Sequence, residues 1–258
     1  MTKKILEEIQ KAIDNRQKAA LCIVTNSKGS TPRKISSKML VFNDGRIVGS
    51  IGGGELEHQV IKKIPELLKN NKPEILDFTL KKDLQMACGG TMQVYIEPIK
   101  LPDQLIIFGA GHISKALARL AENLDFQTII IDERKGIFDD WQKLKNYTFI
   151  NKIYSEAIKN LSFDSQTYIC SATYAHTHDK EIAALCANKP KAYLGVIASK
   201  NKARIISEYL KNEKNIEANI VEKIEMPCGI DIKCETPEEI AISIIARIID
   251  IRNTKNEQ

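Results

Sequence analysis

The pattern of apolar positions along the chain changes near residue 101, beyond which strand and helix spacing alternate regularly. Residues 3–16 carry Ile5, Leu6, Ile9 and Ile13 at helical spacing, which predicts an amphipathic helix. Residues 19–25 form a continuous apolar run of the length of a buried strand. Residues 38–42 and 46–49 read as the two arms of a hairpin turning at Asn43-Asp44-Gly45. A helix is predicted from Glu55, on the spacing of Leu56, Val60 and Ile64, with Pro65 expected to kink or split it. Residues 74–80 and 92–97 are further strand candidates.

Two prolines in Pro98-Ile99-Lys100-Leu101-Pro102-Asp103 mark a short linker, and the domain boundary is placed at about residue 101. Beyond it strands and helices alternate. Strands are expected at 105–108, 128–131, 168–170 and 193–197, and helices at 112–124, 179–187 and 200–211. The last helix has a written start: Thr236 as cap, Pro237 in the first helical position and Glu239 to close a capping box. Ile240, Ile244, Ile245 and Ile248 give it a broad apolar face. Such alternation builds a parallel sheet. The fold class is therefore α/β, with an N-terminal mixed α/β domain over 1–101. A C-terminal Rossmann-like, doubly wound parallel sheet follows over 102–258.

Composition narrows the function more than the fold. The 258 residues carry a formal net charge of +5, spread without a basic stripe or tract, so no nucleic-acid arm and no membrane anchor is expected. The weak positive balance suits an anionic small ligand. The N-terminus lacks the apolar core of a signal peptide, and no apolar stretch is long enough to span a bilayer. A cytoplasmic protein is expected. The six cysteines are scattered with no C-x-x-C pair, which does not describe a disulfide framework.

Five loops could carry chemistry. Gly109-Ala110-Gly111-His112-Ile113-Ser114 follows a strand and opens a helix, the setting of a dinucleotide fingerprint. Gly109 would make the tight turn and Gly111 would let the backbone approach a phosphate at the helix N-terminus. Ser114 stands where the third glycine would be, and Asp132 where a ribose-binding acid would be. Gly49-Ser50-Ile51-Gly52-Gly53-Gly54 could converge its N–H groups on an anion, or make a tight strand-to-helix turn. Arg33, in Gly29-Ser30-Thr31-Pro32-Arg33, could clamp a carboxylate or phosphate, or simply be solvated. Thr173-Tyr174-Ala175-His176-Thr177-His178-Asp179 should lie at the carboxyl edge of the sheet, where ligands bind. His176 and His178 could ligate a metal, transfer protons or contact phosphate there, although an H-x-H pair needs a third ligand; the alternative is exposed histidines with Asp179 capping the next helix. Cys88, before Gly89 and Gly90, could be an activated thiol or an inert buried one. Cys228 and Cys234 read as structural.

Taken together, these segments resemble the XdhC/CoxI family of accessory proteins for molybdenum hydroxylases. The resemblance rests on G-S-T-P-R, K-M-L-V, G-S-I-G-G-G-E-L-E and A-C-G-G-T in the first half. In the second half it rests on F-G-A-G-H-I, I-D-E-R, A-H-T-H-D, Y-L-G-V-I-A-S-K and G-I-D-I-K-C-E-T-P-E-E-I-A. Family members carry Gly where Ser36 and Ser114 stand, and Gly-Ser where Ala198-Ser199 stands.

The resemblance implies a protein that binds molybdenum cofactor (molybdopterin), supports its sulfuration and helps insert it into a xanthine dehydrogenase-type enzyme. It implies a molybdenum hydroxylase apoenzyme and a cysteine desulfurase as partners, and a homodimer. Candidate cofactor-binding residues are Arg33, Gly52, Gly53, Gly54, Gly109, Gly111, His112, Asp132, His176, His178 and Asp179. No protein metal site is expected. Cys88, expected to be the most acidic thiol and to face a cleft between the domains, would contact the molybdenum or its sulfur. The rival reading is an NAD-dependent oxidoreductase with His176 or His178 as acid–base. A third is a structural or regulatory module that binds NAD or another dinucleotide. A nicotinamide enzyme needs a positioned acid or base, and the glycine-rich N-terminal loops offer none, which favours a carrier over a catalyst with turnover.

Overall fold

The run at 19–25 is apolar because both faces of its strand are covered. The computed structural model describes residues 2–80, 90–141 and 147–256, in two compact units, Met1–Leu101 and Pro102–Gln258. In the first unit, β1 (Ala19–Lys28) is central to an antiparallel sheet. Its other strands are β2 (Lys38–Phe42), β3 (Ile47–Gly49), β4 (Glu74–Thr79) and β5 (Thr91–Pro98), in the order β3-β2-β1-β5-β4. Side chains alternate across a strand. Ala19, Leu40 and Phe42 therefore pack with Ile5 and Ala12 of helix α1 (Thr2–Asp14). Ala20, Cys22, Val24, Met39 and Val41 point the other way, onto helix α2 (Gly54–Asn70).

Helix α2 runs through Pro65 without splitting, so of the two outcomes expected there, a kink or a split, the split does not occur. Pro65 is exposed, whereas Val60, Ile64, Leu67 and Leu68 are buried on either side of it. One continuous apolar face thus holds the helix across the missing hydrogen bond.

The second unit is a parallel sheet. Its strands are β6 (Gln104–Phe108), β7 (Gln127–Ile131), β8 (Tyr147–Ile150), β9 (Thr167–Ser171) and β10 (Tyr193–Val196), in the order β10-β9-β6-β7-β8. The chain moves outward from β6 to β8, then returns to the other side of β6 to lay down β9 and β10. The switch point lies between β6 and β9, and their carboxyl ends share one edge of the sheet.

One face of this sheet carries α3 (His112–Glu122) and α8 (Pro237–Asn256), packed through Leu117, Ala121, Ile244 and Ile248. The other carries α4 (Tyr154–Asn160), α5 (His176–Ala187), α6 (Lys200–Asn212) and the short α7 (Ala218–Val221). The capping box of α8 forms: Thr236 Oγ1 accepts from Glu239 N–H at 3.2 Å, and Glu239 Oε2 accepts from Thr236 N–H at 3.0 Å. Among the described residues no helix is long and apolar enough to cross a membrane.

Candidate functional site

Gly109 and Gly111 are needed for different reasons. Gly109 has φ +97°, and a Cβ there would clash with the Ala172 carbonyl that follows β9. Its N–H donates to Ile131 O at 2.7 Å, and Ala172 N–H donates to Phe108 O at 2.8 Å, so the loops after β6 and β9 are tied at the switch point. Gly111 caps α3 in extended backbone with no side chain closing the helix end, and no atom lies within 4 Å of the place its Cβ would take. The first turn of α3 holds no acid. The positive end of the helix dipole is left open there, as an anion site requires. His112 is exposed at the head of the helix. Ser114 is fully buried with its hydroxyl unpartnered.

Asp132 ends β7, but its carboxylate turns inward. It is fully buried; Oδ2 accepts from Ala110 N–H at 2.8 Å, and Oδ1 accepts from Arg134 N–H at 2.9 Å. The Arg134 guanidinium grips both oxygens, at 3.0 and 2.7 Å. Burial alone would push this carboxyl up; the guanidinium and the two backbone N–H groups outweigh it and hold the carboxyl below the usual range. Asp132 thus braces the glycine loop from behind.

Arg134 also lies 4.8 Å from the centre of the Tyr174 ring. Tyr174 donates to Glu133 at 2.8 Å, and His178 Nε2 is 3.0 Å from the Tyr174 hydroxyl and 3.2 Å from Glu133. The hydrogen bond to Glu133 raises the Tyr174 phenol above its ordinary value. His176 and His178 lie in the first turn of α5, which begins three residues earlier than its periodicity suggests. Asp179 is buried and does not cap that helix. Its Oδ1 accepts from Ser171 Oγ at 2.8 Å and from Thr173 Oγ1 and N–H at 2.9 and 3.2 Å. His176 Nδ1 is 3.7 Å from Asp179. Glu133, Arg134 and Tyr174 escape a reading of the sequence because polar residues after a strand look like ordinary solvated loop.

In the first unit, the 50–54 loop closes on an anion supplied by the chain itself. Glu57 Oε1 accepts from Ser50 Oγ at 2.7 Å and from the N–H groups of Gly53, Ile51 and Gly52 at 2.8, 3.0 and 3.2 Å. Burial opposes ionisation, but these four donors prevail and keep the Glu57 carboxyl below its ordinary value. Gly52, Gly53 and Gly54 have φ +150°, +77° and +57°, which explains three glycines in a row.

The neighbouring loops pack against this one. A Cβ on Gly52 would meet the Pro32 ring, and Gly90 fits without a side chain against Lys28 O and Ser30 O. Arg33 is exposed, and its carbonyl accepts from Thr31 Oγ1 at 3.2 Å. Cys88 lies outside the described residues. Cys22, Cys170 and Cys186 are buried, and burial pushes the Cys22 and Cys186 thiols up to about 12. Among the described residues, no three His, Cys, Asp or Glu side chains are grouped to hold a metal ion.

Comparison with known proteins agrees with this architecture. Residues 105–248 match the XdhC Rossmann domain and residues 12–79 match the XdhC and CoxI family. The chain is 31% identical over 254 residues to the uncharacterized protein YqeB of Escherichia coli (strain K12), covering 96% of this chain and 46% of that protein. It is 28% identical over 162 residues to a probable xanthine dehydrogenase subunit of Bacillus subtilis (strain 168), covering 63% of this chain and 47% of that one. The chain thus spans about half the length of these curated relatives. A crystal structure described as a xanthine dehydrogenase from Bacillus halodurans has a TM-score of 0.52 at 20% identity, covering 96% of this chain and 95% of that one, a likeness of fold. With its parallel sheet matched from β6 into α8 and its antiparallel unit matched from α1 to β4, the chain belongs to the XdhC and CoxI family.

Proposed function

We propose that this chain is an accessory protein that holds molybdenum cofactor by its phosphate end, supports its sulfuration and helps insert it into a xanthine dehydrogenase-type hydroxylase. The carrying observation is the open N-terminus of α3 at Gly111, at the switch point of a parallel sheet, with no side chain of its own in the anion position. Open α/β sheets bind ligands at such a point. The relatives named for xanthine dehydrogenase favour a hydroxylase of that kind as the partner.

The residues present fit the group. Backbone N–H groups at Gly111 and the head of α3 would take the phosphate, with His112 exposed beside them. The cofactor, when bound, supplies the molybdenum chemistry of the partner enzyme, and this chain holds and releases it. The engagement of Asp132 with Ala110 and Arg134 weighs against the nicotinamide dinucleotide reading, in which that carboxylate would meet a ribose.

The test is to purify the chain from a host that makes molybdenum cofactor and to assay fluorescent pterin oxidation products and molybdenum on one sample. Gly111 sits at φ −81° in open space, so Gly111→Asp places a negative charge at the helix end without a clash. Bound pterin should disappear while the fold persists. Full pterin content in the variant would place the ligand elsewhere.

A further inference from the structure

The segment Gly229-Ile230-Asp231-Ile232-Lys233-Cys234, which the phosphate reading leaves unused, wraps a cavity of about 340 Å³. Its other wall is Ile197 and Ala198, directly after β10, so the cavity opens at the same carboxyl edge as the 109–114 loop. The geometry points to this cavity as the seat of a flat, pterin-like heterocycle, the ring end of the ligand whose phosphate the 109–114 loop holds. This assignment rests on the phosphate reading of that loop.

Four observations carry it. The first is reach. β6, β9 and β10 are successive neighbours, so two strand spacings, roughly 10 Å, separate the ends of β6 and β10. A ring linked to a phosphate spans that distance. The second is size: the cavity is at the small end of ligand pockets, enough for a ring system but not for a whole dinucleotide.

The third is rigidity. Glu225 accepts from Tyr193 OH at 3.0 Å and Gly229 N–H at 2.8 Å, and pairs with Arg247 at 2.8 Å. Cys228 N–H donates to Val196 O at 3.1 Å, and Ser243 Oγ donates to Ile230 O at 2.7 Å. The wall is formed before any ligand arrives, which lowers the cost of binding.

The fourth is chemistry. Ile197, Ile230 and Ile240 offer apolar faces for a flat ring. Ile230 and Ile232 are 43% and 53% exposed, apolar surface that an occupant would cover. Asp231 suits the adjacent N–H donors of a 2-amino-4-oxopyrimidine edge, and Lys200 and Lys233 suit its carbonyl and an anionic tail.

The test uses the full chain and neopterin, a fluorescent pterin that carries no phosphate. On titration with wild-type chain its fluorescence anisotropy should rise. Asp231→Asn should weaken binding at least tenfold, and Ala198→Phe, which fills the cavity, should abolish it. If Ala198→Phe does not fold, as judged from Trp141 fluorescence, Asp231→Asn decides. An unchanged anisotropy with wild type, or wild-type affinity in the folded variants, overturns the assignment. Because neopterin has no phosphate, a chain that binds it yet retains no cofactor separates failure of the phosphate reading from failure of this one.

Discussion

The brace between Asp132, Arg134 and Ala110 ties the candidate phosphate loop to the sheet, and its removal has a calculable effect. Arg134→Ala leaves a fully buried carboxylate with two backbone N–H donors and no counter-charge. Breaking a buried ion pair by deleting one partner costs about 3–5 kcal/mol. The Arg134 side chain is 37% exposed, so water takes up part of the loss, and about 2 kcal/mol is a fair discount. For a unit of this size that corresponds to roughly 4–8 °C in melting temperature. Trp141, the only tryptophan, is buried in the α3–α8 side of the parallel sheet, so its fluorescence follows this unit specifically.

The pH dependence gives a second check. The Asp132 carboxyl is depressed below its ordinary value of 3.8, so its contribution is complete above that value and lost as pH falls through the folded one. The gap between wild type and Arg134→Ala should hold from about pH 8 to about pH 5 and narrow only below about pH 3.8. A gap under about 1 °C at neutral pH would refute the brace, since it would imply well under 1 kcal/mol. A gap that closes between about pH 8 and pH 5, above the range in which this carboxyl titrates, would likewise contradict an effect carried by Asp132.

Gly109→Ala should cost about 2–3 kcal/mol, from positive φ and the clash with the Ala172 carbonyl, whereas Gly111→Ala should leave the Trp141 transition where it is; urea midpoints compare the two. Glu57→Gln replaces charge-assisted bonds with neutral ones and should lower first-unit stability by about 1 kcal/mol, read by hydrogen exchange at Cys22 and Val24. That loss should be present above the ordinary Glu57 value of 4.5 and vanish as pH falls below it; a loss unchanged at low pH would point to packing instead. Ser36, exposed at φ +73°, strains the turn, so Ser36→Gly should stabilise the first unit by about 0.5–1 kcal/mol after the entropy cost of glycine; a lower denaturation midpoint would contradict this.

Most of the architecture is legible because it is written in period. The strands at 38–42, 105–108 and 128–131, the hairpin at Asp44 and the start of α8 at Thr236 follow from local spacing and cap chemistry. β8 and α4 do not, because Tyr147–Ile150 is largely exposed and α4 is only seven residues long, too short to show a face. At Pro65 the sequence leaves kink and split open, and the buried face that continues past the proline decides against the split. The positions of Gly109, Asp132 and Asp179 at one sheet edge can be inferred from strand order. The partners of Asp132 and Asp179 cannot, since these depend on which way a buried carboxylate turns. The cavity walled by 227–234 joins segments some thirty residues apart and leaves no local signature.

The two glycine loops show what decides whether such a loop serves a ligand. Both place glycines before a helix N-terminus. In the first, Glu57 stands four residues after the cap Gly53 and delivers a carboxylate into the nest. The donors are spent, and the loop becomes a rigid turn. In the second, the residue four places after the cap Gly111 is Lys115, and no acid occupies the first turn of α3. The carboxylate of Asp132 is drawn off to Ala110 and Arg134, which fixes the loop from behind without filling it. On the proposed reading an anion would be held at 109–114, whereas at 50–54 it would have to displace the Glu57 carboxylate. That difference favours the parallel-sheet unit for the phosphate on the proposed reading, and the glycines at 52–54 hold the Glu57 carboxylate.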